Sequence, residues 1–303
     1  MVEIGKYLKS IPGNELYNDL FKPGMQKAGE ALSSVIDGAN LILLPLKLVN
    51  AKSRIYFDNN IEKYSKKLNA NTALTLTQVP QYVGLPIVDK LIYLDQNELA
   101  EAFINLLIKA SFEESLKLAH PAYISILERL SADEAKILFY FKNQERIPFL
   151  DFYIHRYIKK IESLDTSLIG KAKIQQMIDY TYQDTETVFI KAAWNLTGIE
   201  NTVDLLFPEN IDIYIENLEI NGLITFERIL HTKTDLPIYE KLLNEDYKEQ
   251  LENVEKQLCE FREEHASKDD YLNYKFDIDI RKGYIEFSAL GRGFLDACIK
   301  DIE

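Results

Sequence analysis

Histidines and carboxylates are the side chains of this chain that could do acid–base or metal chemistry. The four histidines are His120, His155, His231 and His265. None stands at metal-ligand spacing from a second histidine or a cysteine, and the sequence lacks H-E-x-x-H and C-x-x-C motifs. Asp184 and Glu186 could form a carboxylate pair, but residues two apart do not face each other on a helix. We therefore expect no catalytic residue, metal ligand or cofactor, and an enzyme would need a site of unrecognised type.

His120 opens the segment HPAYISILERLSADEAKILFYF and could be read as a general base. It precedes Pro121, however, and proline is favoured in the first turn of a helix. Ser131 and Glu134 then have the spacing of a capping box, which begins a second helix. The segment predicts two helices that meet at Leu130–Ser131, so we interpret these residues as structural.

Basic residues surround the predicted helix that follows Asn50. Its apolar side is predicted to carry Ile55, Ile61, Tyr64 and Leu68. The basic residues are Lys52, Arg54, Lys63, Lys66 and Lys67. Such a face is typical of a solvated surface, and an anionic partner is the alternative.

Composition limits the location and the partners of the chain. A net charge of −13 over 303 residues argues against a protein that coats nucleic acid. Cys259 and Cys298 belong to no motif, which is typical of a reduced cytoplasmic protein. The apolar run Val35–Val49 is interrupted and too short to span a bilayer. It predicts a buried helix, with reversible contact at the inner face of the membrane as the alternative.

The coarse pattern predicts a mainly α protein whose C-terminal region resembles a winged helix. We expect a helix from Ile213 to Asn221 that ends at Gly222, then a short strand. A β-hairpin wing is expected around Lys282–Gly283, followed by a helix from about Ser288. Residues 150–208 are predicted to be helical, with Trp194 as a core anchor on a helix.

An acidic helix over about 236–266 is predicted to be inserted between the wing strands. Its apolar residues alternate at spacings of four and three, as in a short coiled-coil seam. They are Tyr247, Leu251, Val254, Leu258 and Phe261. The seam could pack on its own chain or on a partner helix, and the sequence leaves both open.

Several motifs together resemble the abortive-infection alpha family. These are a proline-bearing lead-in, an EL-x-E-x-F-x-x-LL helix, the His-Pro entry and an LS-x-x-E-A-x-IL helix. The residues of the last two motifs are His120, Pro121, Leu130, Ser131, Glu134, Ala135, Ile137 and Leu138. The resemblance implies a helical core over 1–130 and a winged-helix-like domain over 131–303, with helical insertions at about 150–208 and 236–266. It also implies a role in bacterial defence against phage and supplies no catalytic residues.

Three functions follow as hypotheses. The first is a non-enzymatic defence component that acts through a protein partner or a homo-oligomer, with a phage component as a trigger. The second is a winged-helix regulator that binds nucleic acid, which the acidic charge disfavours. The third is an effector that perturbs the membrane through its N-terminal helices.

Overall fold

The computed structural model describes residues 26–36, 51–95, 97–158, 170–172, 188–228, 236–265 and 274–302. The chain forms two compact units whose sequences are interleaved. The first unit comprises Met1–Gln144, Val203–Ile224 and Phe287–Glu303, and the second comprises Glu145–Thr202 and Thr225–Glu286. This grouping by compactness differs from the domains 1–130 and 131–303, which stay a prediction.

Helices form most of the described part of the first unit. Before residue 144 the described α-helices are α1 (Gln26–Ala31), α2 (Ser33–Ile36), α3 (Ala51–Ala70), α4 (Gln81–Leu91), α5 (Glu98–Lys109), α6 (Pro121–Leu127) and α7 (Ala132–Phe141), with a 3-10 helix at Leu116–Leu118. The unit also contains α9 (Ile211–Ile220) and α12 (Ala289–Phe294), with a short 3-10 helix at Pro208–Asn210 and a π-helical turn at Leu295–Ile299. The expectation of a mainly helical protein is confirmed.

The central helix of the first unit is α5, which begins after the N-cap residue Asn97. Ten of its twelve residues are buried, and they include Asn105 and Lys109. It contacts α3, α4, α6, α7 and the turn at Leu295–Ile299. A helix that is covered on every side in this way is the core about which its neighbours pack.

The apolar side of α3 differs from the predicted one by one residue. Phe57, Ile61, Tyr64 and Leu68 are buried at spacings of four, three and four, whereas Ile55 is exposed. A separation of six residues places Ile55 on the other side of the helix from Ile61, because successive residues are rotated by about 100°. Phe57 is therefore the residue that completes the buried stripe.

The second unit is built on an antiparallel sheet. Its described strands are β1 (Arg146–Ile158), β2 (Val188–Leu196), β3 (Ile224–Glu227) and β4 (Tyr274–Phe287), in the order β2-β1-β4-β3. The unit also contains α8 (Ile199–Thr202), α10 (Leu236–Lys241), a π-helical turn at Leu242–Asp246 and α11 (Lys248–His265). The predicted acidic helix is thus present as α10, the turn and α11.

The β-hairpin predicted around Lys282–Gly283 is wrong. β4 runs straight through this dipeptide, and β1 pairs with it there through Leu150↔Lys282 and Phe149↔Gly283. A Cβ at Gly283 would overlap with the Phe149 ring and the Glu227 carbonyl oxygen. Glycine is needed at this position for close packing, because a side chain would not fit between those groups.

The helical reading of 150–208 is also wrong at two strands, although Ile199–Thr202 is helical as α8. Strand β1 continues to Ile158, and β2 occupies Val188–Leu196. Trp194 lies in β2 with 40% of its surface exposed, so it is not a core anchor on a helix. The pairing partner of β1 on one side is β4, more than a hundred residues away in sequence, and local periodicity does not reveal such a partner.

Part of the expected C-terminal order is confirmed. Helix α9 ends before Gly222, whose φ of +72° allows the chain to turn into β3. Ser288 caps α12 by accepting a hydrogen bond from the Gly291 amide. Helix α9, strand β3 and the final helix α12 are therefore present as expected, with α10, α11 and the single strand β4 between β3 and α12. The assignment to a winged helix stays a prediction.

Candidate functional site

His120 lies at the N-cap of α6. Its Nδ1 atom accepts a hydrogen bond from the Ala122 amide at 3.2 Å, and Pro121 occupies the first turn. The imidazole ring packs edge-on against Tyr123 at a centroid distance of 5.9 Å. These contacts give the histidine the structural role at a helix start that its position before Pro121 predicts.

Ser131 and Glu134 form the predicted capping box at the start of α7. The Ser131 hydroxyl accepts a hydrogen bond from the Glu134 amide at 3.2 Å, and the Glu134 carboxylate accepts one from the Ser131 amide at 2.6 Å. Leu130 and Ala135 are both buried beside this turn. The family-motif residues thus fix the start of the helix.

Asp133, inside the same motif, is the residue that sequence reasoning missed. Its carboxylate is only 2% exposed and accepts three hydrogen bonds from the segment 206–214. The donors are the Leu206 amide at 2.8 Å, the Phe207 amide at 3.0 Å and the Tyr214 hydroxyl at 2.9 Å. Burial favours the neutral acid, but these donors outweigh it and lower the pKa of Asp133.

The side-chain amide of Asn217, on α9, adds two hydrogen bonds between this helix and the start of α7. It donates hydrogen bonds to the Glu134 carboxylate at 2.6 Å and to the Arg129 carbonyl at 3.1 Å. The turn at 131–134 therefore holds the path of the chain from Leu206 to Asn217. The motif segment therefore has two structural roles: it caps two helices, and it binds the distant segment 206–217, an arrangement that we call the clamp.

The clamped segment exposes large apolar side chains. Leu206 is 64% exposed, Phe207 55%, Ile213 62% and Ile220 72%. Ile213 and Ile220 are seven residues apart and share one stripe of α9, opposite the buried residues Ile215 and Leu218. We call these four residues, with the exposed acidic residues between them, the 206–220 surface.

The charge of the 206–220 surface is uniformly acidic. Residues 204–221 contain no lysine or arginine, and Glu209, Asp212, Glu216 and Glu219 are all exposed. Glu216 lies between Ile213 and Ile220 on their stripe of the helix. Such a helix repels phosphate, so it is unsuited to enter a nucleic-acid groove.

The predicted basic residues of α3 separate into two groups. Lys63 and Lys67 both pair with Glu101, and the Lys67 ammonium also donates to Asn105 and Asp301, each at 2.6 Å. The other three remain exposed: Lys52 lies over the Tyr56 ring, Lys66 pairs with Glu62 at 2.8 Å, and Arg54 is exposed. The anionic-partner face therefore stays a prediction, and Lys67 points into the protein.

The predicted seam of α11 packs against its own sheet. Tyr247, Val254 and Leu258 are buried in one apolar cluster with Leu150, Phe152 and Ile154 of β1, and Leu251 packs at its edge. The side chain of Phe261 lies outside the described residues. Packing on its own chain, one of the two open alternatives, is what these described side chains do.

A second buried carboxylate, Asp151, lies on β1 and was also missed. It accepts a hydrogen bond from the Asn195 amide at 2.8 Å and pairs with Arg228. The Arg228 guanidinium lies over the rings of Phe149 and Phe226, at 5.2 and 4.9 Å. Asn195 adopts a φ of +53°, which directs its amide to the carboxylate. These groups satisfy each other and bind one end of β2 to β1.

In the part of the chain that the structure describes, no cluster of three or more histidine, cysteine, aspartate or glutamate side chains is arranged to hold a metal ion. No described helix has both the length and the apolar character that a bilayer crossing requires. Residues 37–49 of the apolar run Val35–Val49, for which membrane contact is the alternative, and the pair Asp184 and Glu186 lie outside the described residues.

These observations define a helical protein with a small antiparallel sheet. The turn at 131–134, within the motif, holds the segment 206–217 by hydrogen bonds. The model of the abortive infection alpha family matches residues 56–298, so the chain belongs to this family. No curated protein matches the chain. One similar solved structure is the uncharacterized protein from the hydrocarbon-degrading marine bacterium Alcanivorax borkumensis SK2. It is 14% identical, covering 58% of this chain and 91% of that chain, with a TM-score of 0.29.

Proposed function

We propose that this protein is a component of abortive-infection defence and acts by binding a protein through the 206–220 surface. One observation carries the proposal: four large apolar side chains are exposed on a segment that a buried carboxylate holds in place. An exposed group of apolar side chains within a polar rim is typical of a protein-binding surface.

The chemistry of the surface indicates its partner. Apolar side chains at Phe207, Ile213 and Ile220 alternate with Glu209, Glu216 and Glu219, without any basic residue between them. The complementary surface has apolar side chains flanked by lysine or arginine. We therefore expect a basic, amphipathic protein segment as the partner.

The hydrogen bonds from Asp133 also bear on how easily the 206–220 surface could bind a partner. Asp133 fixes the backbone at Leu206 and Phe207, so this part of the chain loses little backbone freedom on binding. Ordering flexible side chains and loops is one of the costs of association, and a surface that is already fixed avoids part of it. The binding surface would thus be positioned by the same turn, 131–134, that carries the family motif, although Asp133 itself occupies one of the unspecified positions of that motif.

Phage challenge of cells that carry the gene tests the proposal. The double variant Ile213→Glu and Ile220→Glu should abolish protection, because charged side chains would disrupt the apolar contact. Ile55→Glu is the matched control, since Ile55 is similarly exposed but lies on α3. Both proteins should melt near the wild-type temperature, because substitutions at exposed positions change stability by only about 0.5 kcal/mol.

Charge reversal tests the expected partner chemistry. Glu216→Lys together with Glu219→Lys should weaken protection, while Glu252→Lys on the exposed side of α11 should not. Full protection by the Ile213 and Ile220 double variant would overturn the binding surface. A wild-type protein that protects against no phage in a broad panel would overturn the defence role, and full protection by the charge-reversed protein would exclude a basic partner.

A further inference from the structure

We propose that the partner of the 206–220 surface is an amphipathic helix that lies along α9, with lysine or arginine on one flank and a carboxylate on the other. The carboxylate pairs with Arg129, a residue outside the 206–220 surface. This inference rests on the proposed function. It adds the conformation of the partner, its orientation and a further residue of the site.

The exposed apolar side chains of α9 favour a helix as the partner. Ile213 and Ile220 are both exposed and are separated by two helical turns, and we call the line between them the apolar line. The backbone groups of α9 are bonded within the helix, so a partner meets side chains and does not add a strand. Side chains that repeat every seven residues pack well between those of a second helix alongside, as in a coiled coil.

One side of the apolar line is acidic. Successive residues are rotated by about 100° around a helix, so Glu216 and Glu219 lie on the same side of this line. Both are exposed, and within the described part of the chain neither takes part in an ion pair. Their charge is therefore available to lysine or arginine side chains of a partner.

The other side of the apolar line carries Asn217 and Asn221, and both of them contact Arg129. The Arg129 guanidinium donates a hydrogen bond to the Asn221 side-chain oxygen at 3.3 Å, and the Arg129 carbonyl accepts one from Asn217 at 3.1 Å. Arg129 is exposed, and among the described residues it forms no ion pair. An exposed cation therefore lies beside the last turn of α9.

The carboxylates nearest to Arg129 in sequence are engaged by other groups. Glu128 pairs with Lys90 at 3.4 Å. Glu134 accepts hydrogen bonds from the N-cap amide of α7 and from Asn217. Neither carboxylate forms an ion pair with Arg129, so its charge is available to a carboxylate of a partner.

The opposite charges on the two sides of the apolar line set the direction of the partner helix. In one direction its basic flank faces Glu216 and Glu219 while its carboxylate faces Arg129. Turning the helix end for end exchanges its flanks and places like charges opposite each other, which disfavours that arrangement. Arg129 therefore contributes to specificity as well as to orientation.

Two synthetic peptides of about 20 residues test the inference, since shorter helices are marginal in water. Both carry leucine at helical spacing. The mixed peptide has lysine on one flank and glutamate on the other, whereas the basic peptide has lysine on both flanks. Fluorescence anisotropy measures the binding of each peptide to the full chain. The readout is the ratio of the two dissociation constants, because the net charge of −13 attracts the basic peptide in any case.

Arg129→Glu should shift this ratio toward the basic peptide about fivefold or more, because repulsion of the glutamate flank replaces attraction. Arg129→Gln should shift it by less. Lys117→Glu is the matched control, since Lys117 is exposed on a short helix of the same unit and its replacement changes the net charge equally. The control should keep the wild-type ratio, and melting temperatures verify that each variant is folded.

A central proline in the mixed peptide tests the helical conformation. Proline breaks a helix in its interior, so this peptide should bind the wild type about tenfold more weakly or worse. Equal binding of the proline peptide and the mixed peptide would overturn the helical partner.

The remaining outcomes separate this inference from the proposed function. If the Ile213→Glu and Ile220→Glu double variant loses the peptides but Arg129→Glu keeps the wild-type ratio, the role of Arg129 is wrong and the surface stands. Failure of the wild type to bind either peptide would overturn the inference, whereas phage protection still tests the surface. Binding of both peptides to the double variant as to the wild type would contradict the surface itself.

Discussion

The Phe207 amide donates a hydrogen bond to the Asp133 carboxylate at 3.0 Å, across 74 residues of sequence. Both residues belong to the first unit, and the second shared partner, Tyr214, reaches the same carboxylate oxygen. One buried acid therefore sets the direction in which the chain enters α9. The stability of the protein and the position of the 206–220 surface depend on this contact together.

Replacement of Asp133 should be among the more damaging single changes in the first unit. Asp133→Ala leaves two backbone amides and the Tyr214 hydroxyl without their acceptor, so we expect a loss of about 3 kcal/mol in the free energy of unfolding. Tyr214→Phe removes one of the three donors and should cost about 1 kcal/mol. Urea denaturation measures both values, and equal losses in the two variants would contradict the role of the carboxylate as a shared acceptor.

The same carboxylate should make stability depend on pH in the acid range. The pKa of Asp133 is lowered in the folded protein, and Lys63 and Lys67 outweigh burial to lower the pKa of Glu101 as well. A lowered folded-state pKa means that the unfolded chain binds more protons. The contribution is therefore complete above the unfolded pKa values of about 4 and is lost as pH falls through the folded values.

Urea denaturation between about pH 2 and pH 7 measures this dependence. The free energy of unfolding should fall steeply below about pH 4 in the wild type. Asp133→Asn should be less stable at neutral pH and show a shallower fall. Parallel curves for the two proteins would show that the Asp133 carboxylate does not contribute.

The two capping residues of the family motif should respond differently to substitution. Ser131→Ala removes a capping-box acceptor and should cost about 1 kcal/mol, whereas Ser131→Asp should keep most of the stability. His120→Asn places a better capping residue at the start of α6, so stability should stay within about 0.5 kcal/mol of the wild type or rise. Thermal unfolding measures these changes.

Phage protection gives the control for His120. We expect His120→Asn to protect as the wild type does, because the asparagine side chain can replace the imidazole as the hydrogen-bond acceptor for the Ala122 amide. A folded His120→Asn protein without protection would show instead that the histidine has a chemical role.

Two nearby glycines should differ in their tolerance of a methyl group. A Cβ at Gly291 would overlap with the backbone carbonyl of Leu223, which cannot move without shifting the chain after α9. Gly291→Ala should therefore cost about 3 kcal/mol. At Gly293 the nearest atom is the hydroxyl of Tyr123, at the end of a side chain that can turn away, so Gly293→Ala should cost about 1 kcal/mol or less.

Thermal denaturation of the two alanine variants makes this comparison direct. The glycines share one helix turn, so differences in helix propensity between them are small. If Gly293→Ala were the less stable protein, the close approach of α12 to Leu223 would be wrong.

Local signals in the sequence predicted the parts of the fold that depend on local contacts. The capping box at Ser131 and the entry at His120 each involve residues within three positions of each other, and the structure confirms both. The spacing of Tyr247, Val254 and Leu258 likewise predicted the buried side of α11. The same spacing could not show whether the helix would pack on its own chain, because a seam has the same pattern in either case.

Contacts between distant residues explain what the sequence did not reveal. Strand β1 has buried residues at Phe149, Leu150 and Phe152, so the alternation that marks a strand is weak. The dipeptide Lys282–Gly283 resembles a turn, but its glycine is required by Phe149 on the neighbouring strand. Asp133 could not be recognised because its donors lie more than seventy residues later in the chain.

The interleaved units also determine when each part of the protein can fold during synthesis. Helix α5 is buried on all sides, and its Asn105 binds carbonyls that are made 193 and 194 residues later. The whole second unit is translated in that interval. The side of α5 that packs against the turn at Leu295–Ile299 therefore stays uncovered until that turn has left the ribosome. An apolar surface exposed for this long makes the growing chain a natural client for chaperones.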